Sequence, residues 1–102
     1  MDLFKDTCLK CSKLITEAYS TSFTLGIKTL HRKFHDPIYA IYGFVRCADE
    51  IVDTFHDFDK RKLLDQFSQQ TFEAIEQGIS LNPVLHAFQC VVNEYQIDRA
   101  YI

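Results

Sequence analysis

One apolar stretch, between Ile38 and Phe55, limits more than any other feature what this chain can fold into. Its apolar residues recur at helical intervals and are Ile38, Ile41, Phe44, Val45, Ala48, Ile51, Val52 and Phe55, with Cys47 beside them. At about 100° per residue they cover most of a helix circumference. Because a helix that is apolar nearly all round is normally buried, we expect a helix from Pro37 to about Phe55, capped by Asp36, inside a larger body.

The rest of the chain has the same helical spacing, which predicts an all-α fold, a helical bundle. The other predicted helices are Leu3 to Ala18, Phe23 to about Leu30, about Lys60 to Gln77 with Gly78 at its end, and a fifth that begins at Asn82-Pro83. The hydroxyl cluster Tyr19–Ser22 separates the first two helices, since such side chains favour caps and breaks. Three glycines and two prolines are too few for the turns of an all-β fold.

Charge and the N-terminus narrow the function classes. The net charge is −3, and no basic block indicates a nucleic-acid partner, so we expect none. No apolar run approaches the roughly 18 residues of a membrane span. The first residues lack the pattern of a signal peptide, so a cytoplasmic location with free thiols is the default expectation.

Two residue pairs imitate the halves of a zinc finger. They are Cys8 with Cys11, and His31 with His35. The interval between the two pairs is too long for a ββα finger, and Cys8 and Cys11 lie in a predicted helix. We therefore interpret the cysteines as core residues and the histidines as exposed loop residues.

A narrow polar stripe runs along the third helix. Tyr42, Arg46, Asp49 and Asp53 fall within about 60° of one another on the helical wheel. The two aspartates are like charges one turn apart, in the half of the helix where the macrodipole disfavours negative charge.

This unfavourable arrangement has two interpretations. Asp49 and Asp53 could each offer an oxygen to Mg²⁺, while Arg46 holds a phosphate through a forked hydrogen bond. Alternatively, Asp53, Asp57 and Asp59 form an acidic helix end that faces water. In that case Arg46 pairs with Glu50 four residues later. The spacing alone leaves both interpretations open.

Two motifs resemble a known family. The run from Tyr39 to Asp53 resembles the first aspartate-rich region of squalene and phytoene synthases, an aromatic helix followed by Arg-x-x-Asp-[Asp/Glu]-x-x-Asp. Upstream, Tyr19-Ser20-Thr21-Ser22-Phe23 is similar to the Ser-x-Ser-Phe segment of the same family. Both motifs occur in the expected order and spacing.

The resemblance implies the isoprenoid synthase fold and a magnesium-dependent, head-to-head condensation of two prenyl diphosphates. In that reaction one substrate ionises to an allylic cation, the second attacks it to give a cyclopropylcarbinyl diphosphate, and rearrangement follows. Asp49 and Asp53 would bind the metal and Arg46 the diphosphate, with Ser20 and Ser22 at the diphosphate end of the pocket. Phe23 and Tyr42 would flank the cation, and Tyr19 is a weaker match to the family motif.

The departures from the family matter equally. Relatives are longer and carry a second Asp-x-x-x-Asp motif, which Asp57, Asp59, Asp65 and Asp98 do not supply. We therefore interpret residues 1–102 as the N-terminal part of such a domain, inactive by itself. The prenyl chain length and the product stay open, so NADPH would be required only in a squalene-type enzyme.

Other functions and partners stay open at this stage. A non-catalytic helical binding module derived from the same family, or a plain structural domain, is the alternative to an enzyme. We expect an exposed apolar surface that favours self-association. Peripheral association with a membrane is a further expectation, because the products implied by the resemblance are insoluble in water.

Overall fold

The computed structural model describes residues 2–102, which form five α-helices and no strand within that range. The helices are α1 (Leu3–Tyr19), α2 (Thr21–Lys28), α3 (His35–Asp53), α4 (Lys60–Gln77) and α5 (Pro83–Tyr95). Short 3₁₀ turns at Arg32–Phe34 and Arg99–Tyr101 complete the described structure. The all-α prediction is confirmed.

Local sequence explains where four of the five helices begin and where α4 ends. The side chains of Asp2, Ser20, Asp59 and Asn82 each accept a hydrogen bond from a backbone N–H in the first turn of the next helix. Gly78 ends α4 with φ of 71°, a left-handed conformation that suits glycine. The predicted limits of α4 and the predicted start of α5 are therefore confirmed.

The predicted start of α3 is wrong. The helix begins at His35 rather than Pro37, and its N-cap residue is Phe34, which makes no side-chain cap bond. The 3₁₀ turn Arg32–Phe34 leads directly into α3, so the chain is already helical when it reaches Asp36. Asp36 lies in the first turn, where its negative charge still suits the helix dipole. The helix also ends two residues earlier than predicted, at Asp53, and α2 spans Thr21–Lys28 rather than Phe23 to Leu30.

The centre of the bundle is α5. It packs against α1, α3 and α4, and α1 also packs along α3. One core cluster contains Cys8, Ala40, Ala87 and Val91, and a second contains Ile75, Phe88 and Val92. Phe44 stacks on Phe88 with ring centroids 3.8 Å apart, which connects α3 to the second cluster. The three core helices α1, α3 and α5 therefore form the frame that holds the polar stripe.

One face of α3 is not covered. Ile41, Val45 and Val52 are exposed, with Val52 at 51%. The predicted exposed apolar surface is therefore present in residues 2–102, because α5 occupies the centre and α3 contacts it along one side. None of the described helices is long and apolar enough to cross a membrane.

Candidate functional site

The junction between α1 and α2 is organised by Ser20. Its backbone N–H donates to the Thr16 carbonyl oxygen at 2.9 Å, which completes the last turn of α1. Its hydroxyl oxygen accepts the Phe23 N–H at 3.0 Å and so caps α2. The structure therefore gives Ser20 a capping contact, while Ser22 is exposed in the first turn of α2.

Aromatic contact joins α2 to the polar stripe. The ring centroids of Phe23 and Tyr42 lie 4.7 Å apart with the planes inclined at 53°. Phe23 is exposed and Tyr42 is half-buried. The two residues that the family resemblance places beside an allylic cation are thus neighbours, and together they form an accessible aromatic surface.

Arg46 is held from two sides. Its guanidinium carbon lies 5.0 Å from the centroid of the Tyr19 ring, a cation–π distance. One guanidinium nitrogen, Nη2, lies 3.2 Å from Glu50 Oε2, the ion pair that the alternative interpretation predicted. Arg46 Nε is buried and has no hydrogen-bond partner among the described residues. The position of the guanidinium is therefore set by α1 and α3 together.

The two aspartates of the stripe are accessible. Asp53 Oδ2 lies 3.7 Å from Arg46 Nη2, and the Asp53 side chain is 66% exposed. Asp49 is also exposed and forms no ion pair with any residue from 2 to 102. Both aspartates belong to α3, one turn apart, so their carboxylates lie on the same side of the helix as Arg46. The stripe predicted from the sequence therefore coexists with the Arg46–Glu50 pair.

The donor set fits part of a magnesium site. Two exposed carboxylates one turn apart are hard oxygen donors, which Mg²⁺ prefers and can bind while keeping several waters. Within residues 2–102 no group of three or more His, Cys, Asp or Glu side chains could hold a metal.

Other acidic residues have separate structural partners. Asp59 caps α4 through the Lys62 N–H, and Asp98 accepts the Ala100 N–H. Asp65 pairs with Arg61 on α4 at 4.0 Å. Each of these contacts is local, and none of them draws the carboxylate toward Asp49 or Asp53.

Cys8 and the two histidines of the zinc-finger-like pairs form contacts within the protein. Cys8 is 1% exposed in the first core cluster, and all four cysteines are free. His31 Nδ1 accepts the Lys33 N–H, and His35 Nε2 lies 2.9 Å from the Leu30 carbonyl oxygen. These contacts support the core interpretation of Cys8. His31 is exposed in the turn before α3, but the prediction of an exposed loop residue is wrong for His35, which is half-buried and is the first residue of α3.

Two side chains near Arg46, Tyr19 and Cys47, have raised pKa values. A hydrogen bond to the Glu50 carboxylate, together with its negative charge, raises the pKa of the Tyr19 hydroxyl above 10.0. Burial, with a smaller contribution from Glu50, raises the pKa of the Cys47 thiol above 9.0. Both groups are thus held in the neutral form.

These shifts predict a loss of stability in alkali. Because the folded pKa values exceed the unfolded ones, the folded chain holds more protons above pH 9.0, and the free energy of unfolding falls as the pH rises further. Urea unfolding at pH values on both sides of 9.0 measures this fall. In ultraviolet titration, the tyrosinate signal that disappears in Tyr19→Phe should have a midpoint above 10.0. A midpoint at or below that value would contradict the Tyr19–Glu50 contact.

Glu50 belongs to this site, although the sequence motifs did not include it among the site residues. The sequence signal for it was the four-residue interval to Arg46, which appeared only in the alternative interpretation. Its contact with Tyr19 involves two helices and has no signal in the local sequence.

A family comparison covers this whole arrangement. The family model described as Squalene/phytoene synthase matches residues 16–102. The chain belongs to the squalene/phytoene synthase family. The matched range includes both Tyr19–Phe23 and the polar stripe of α3. No curated protein and no solved structure matches the chain. Family membership assigns it, at the level of the family, to squalene/phytoene synthase-type chemistry.

Proposed function

We propose that this chain provides one wall of the active site of a magnesium-dependent enzyme that joins two prenyl diphosphates head to head. The observation that carries the proposal is the shared face of α3: two exposed carboxylates stand beside an arginine whose position is fixed by Tyr19 and Glu50. The expected product is of the phytoene or the squalene type, and only the squalene type would consume NADPH.

Asp49 and Asp53 would hold the metal in this proposal. Bound Mg²⁺ supplies Lewis-acid stabilisation of the diphosphate leaving group. The two carboxylates lie near the C-terminal end of α3, where the helix dipole and their mutual repulsion both disfavour negative charge. A divalent cation would relieve both effects, which is a physical reason for keeping two acids in this position.

Arg46 would bind the diphosphate. Its contacts with Glu50 and Asp53 both use Nη2 and Nε is buried, so the N–H groups of Nη1 remain for phosphate oxygens. Because Tyr19 and Glu50 already restrict the side chain, less conformational entropy is lost when a diphosphate binds. The approach of a diphosphate would also replace the 3.7 Å contact between Arg46 and Asp53, which leaves the Asp53 carboxylate to the cation.

Phe23 and Tyr42 would contact the prenyl chain next to the diphosphate. Their rings touch each other at the junction of α2 and α3 and present an accessible aromatic surface. Aromatic faces stabilise positive charge, so this surface suits the allylic carbon on which charge develops when the diphosphate leaves. Ser20 positions this surface by capping α2, and Ser22 would contact the diphosphate end.

The test is binding of non-hydrolysable thiolodiphosphate analogues of fifteen- and twenty-carbon prenyl diphosphates, measured calorimetrically with and without Mg²⁺. We expect magnesium-dependent binding that Asp49→Asn and Asp53→Asn each weaken by about tenfold or more, as for lost contacts to charged groups. Asp65→Asn is the matched control, because Asp65 is an exposed helical aspartate whose partner is Arg61 on its own helix. We expect this control to bind like the original chain.

The contrary result would favour the non-catalytic binding module. In that case prenyl analogues would bind equally with and without magnesium, and neither aspartate substitution would change the affinity. The absence of turnover by residues 1–102 alone stays a prediction, which a product assay with prenyl diphosphates and Mg²⁺ would test. Self-association and binding to membranes stay predictions, which gel filtration and vesicle sedimentation would test.

A further inference from the structure

Lys60, the first residue of α4, contacts the last turn of α3. Its ammonium group donates a hydrogen bond to the Val52 carbonyl oxygen at 2.6 Å. The same nitrogen lies 2.8 Å from His56 Nδ1, which accepts from it. One lysine therefore connects the last turn of α3, the loop that follows it and the first turn of α4.

The end of α3 has few other stabilising groups. No basic residue lies in its last turn, and Thr54, the C-cap residue, has φ of −118° rather than the left-handed conformation of a glycine cap. Thr54 N–H donates to the Glu50 carbonyl oxygen at 3.0 Å. The last carbonyls of a helix lack partners within it and favour a nearby cation. Lys60 supplies both a donor and a positive charge.

The geometry of the two aspartates depends on this turn. Asp53 is the last residue of α3, so it faces the same way as Asp49 only while the final turn stays helical. Val52, whose carbonyl oxygen Lys60 binds, is the residue directly before Asp53. Fraying of one turn would therefore turn the Asp53 carboxylate away from Asp49.

We propose that Lys60 is a positioning residue that keeps the last turn of α3 helical, so that Asp49 and Asp53 can share one divalent cation. This inference rests on the proposed function, since it assigns a cation to those carboxylates. Lys60 itself contacts neither the cation nor the substrate.

The test uses the 102-residue chain and three variants. Lys60→Met removes the ammonium group and keeps much of the stem, whereas Lys60→Arg keeps a positive donor. Lys62→Met is the matched control, because Lys62 is exposed two residues further along α4 and its side chain has no hydrogen bond or ion pair with the described residues. Two quantities are measured: hydrogen exchange of the Thr54 amide without metal, and Mn²⁺ binding by electron paramagnetic resonance, with Mn²⁺ alone as the probe.

We expect Lys60→Met to accelerate exchange of the Thr54 amide about tenfold and to weaken Mn²⁺ binding by about five- to tenfold, as for one hydrogen bond to a charged group. Lys60→Arg and Lys62→Met should stay within about twofold of the original chain in both measurements. Unchanged exchange in Lys60→Met, or an equal effect of Lys62→Met, would refute the inference. Faster exchange with unchanged Mn²⁺ affinity would also refute it, because the turn would then not position the carboxylates.

A separate variant, Asp53→Asn, tests the proposed function independently of Lys60. If Asp53→Asn binds Mn²⁺ as the original chain does, the aspartates hold no cation and the proposed function fails. The exchange comparison between Lys60→Met and Lys62→Met still measures, in metal-free protein, whether Lys60 holds the last turn.

Discussion

Gly43→Ala is expected to lower the free energy of unfolding by about 1–3 kcal/mol, the usual cost of overpacking a core. A Cβ atom at Gly43 would lie 3.0 Å from both Cβ and Oγ of Ser12 and 3.2 Å from its Cα. Ser12 is fully buried, so its side chain cannot turn outward into solvent. The added methyl group would therefore force α1 and α3 apart.

Gly26→Ala is the matched control for this substitution. Gly26 is also a helical glycine, yet a Cβ there would meet no atom within 4 Å. We expect this variant to gain about 0.5–1 kcal/mol, because alanine favours the helix and glycine does not. Urea unfolding of both variants measures the difference. A Gly43→Ala chain as stable as the original would show that the two helices are not in close contact.

A substitution at Ser12 distinguishes the effect of its contact with residue 43 from the effect of helix propensity at residue 43. Ser12→Gly removes the side chain that the new methyl group would meet, so Ser12→Gly with Gly43→Ala should lose less stability than the two single changes added together. Additive losses would mean that the cost of Gly43→Ala has another origin than the contact with Ser12.

Arg46→Gln should weaken magnesium-dependent binding of the prenyl analogues by about ten- to a hundredfold, the cost of lost hydrogen bonds to a charged ligand. The change removes the positive charge and leaves the Glu50 carboxylate, whose side chain is only 21% exposed, without its partner. It also removes the cation stacked on Tyr19. Calorimetric titration with the analogues used for Asp49 and Asp53 measures the effect.

Two further variants decide what Arg46 contributes. Arg46→Lys keeps the charge but lacks the planar fork, so we expect it to restore only part of the affinity. Arg61→Gln is the control, because Arg61 is 91% exposed and forms only a 4.0 Å contact with Asp65. Full affinity in Arg46→Gln would exclude Arg46 from the diphosphate site. Equal losses in Arg61→Gln would show that only the overall charge matters.

Much of the fold could be predicted because its signals are local. Asp59, Gly78 and Asn82-Pro83 mark helix ends through bonds within one turn of the chain, and the structure has helix ends at all three places. The polar stripe of α3 also follows from local spacing alone, since helix geometry fixes which side chains share a face. The metal and substrate roles of its residues remain predictions.

The features that could not be predicted involve contacts between distant parts of the chain. The sequence did not indicate that α5 is the central helix, with Val84 to Gln89, Val91 and Val92 all buried. Helix spacing shows that a face is apolar, but which neighbour covers that face depends on how all the helices pack. The start of α3 was missed for a related reason: a 3₁₀ turn, rather than the side chain of Asp36, begins it.

The sequence by itself determined an all-α chain, both ends of α4, the start of α5 and one face that carries Arg46, Asp49 and Asp53, because those features depend on bonds and angles within a few residues. Only the tertiary structure decided that Tyr19 stacks on Arg46, that Lys60 binds the end of α3, and that Ser12 packs closely against Gly43. Each of these contacts joins residues on different helices, and their distances are set by packing across the bundle.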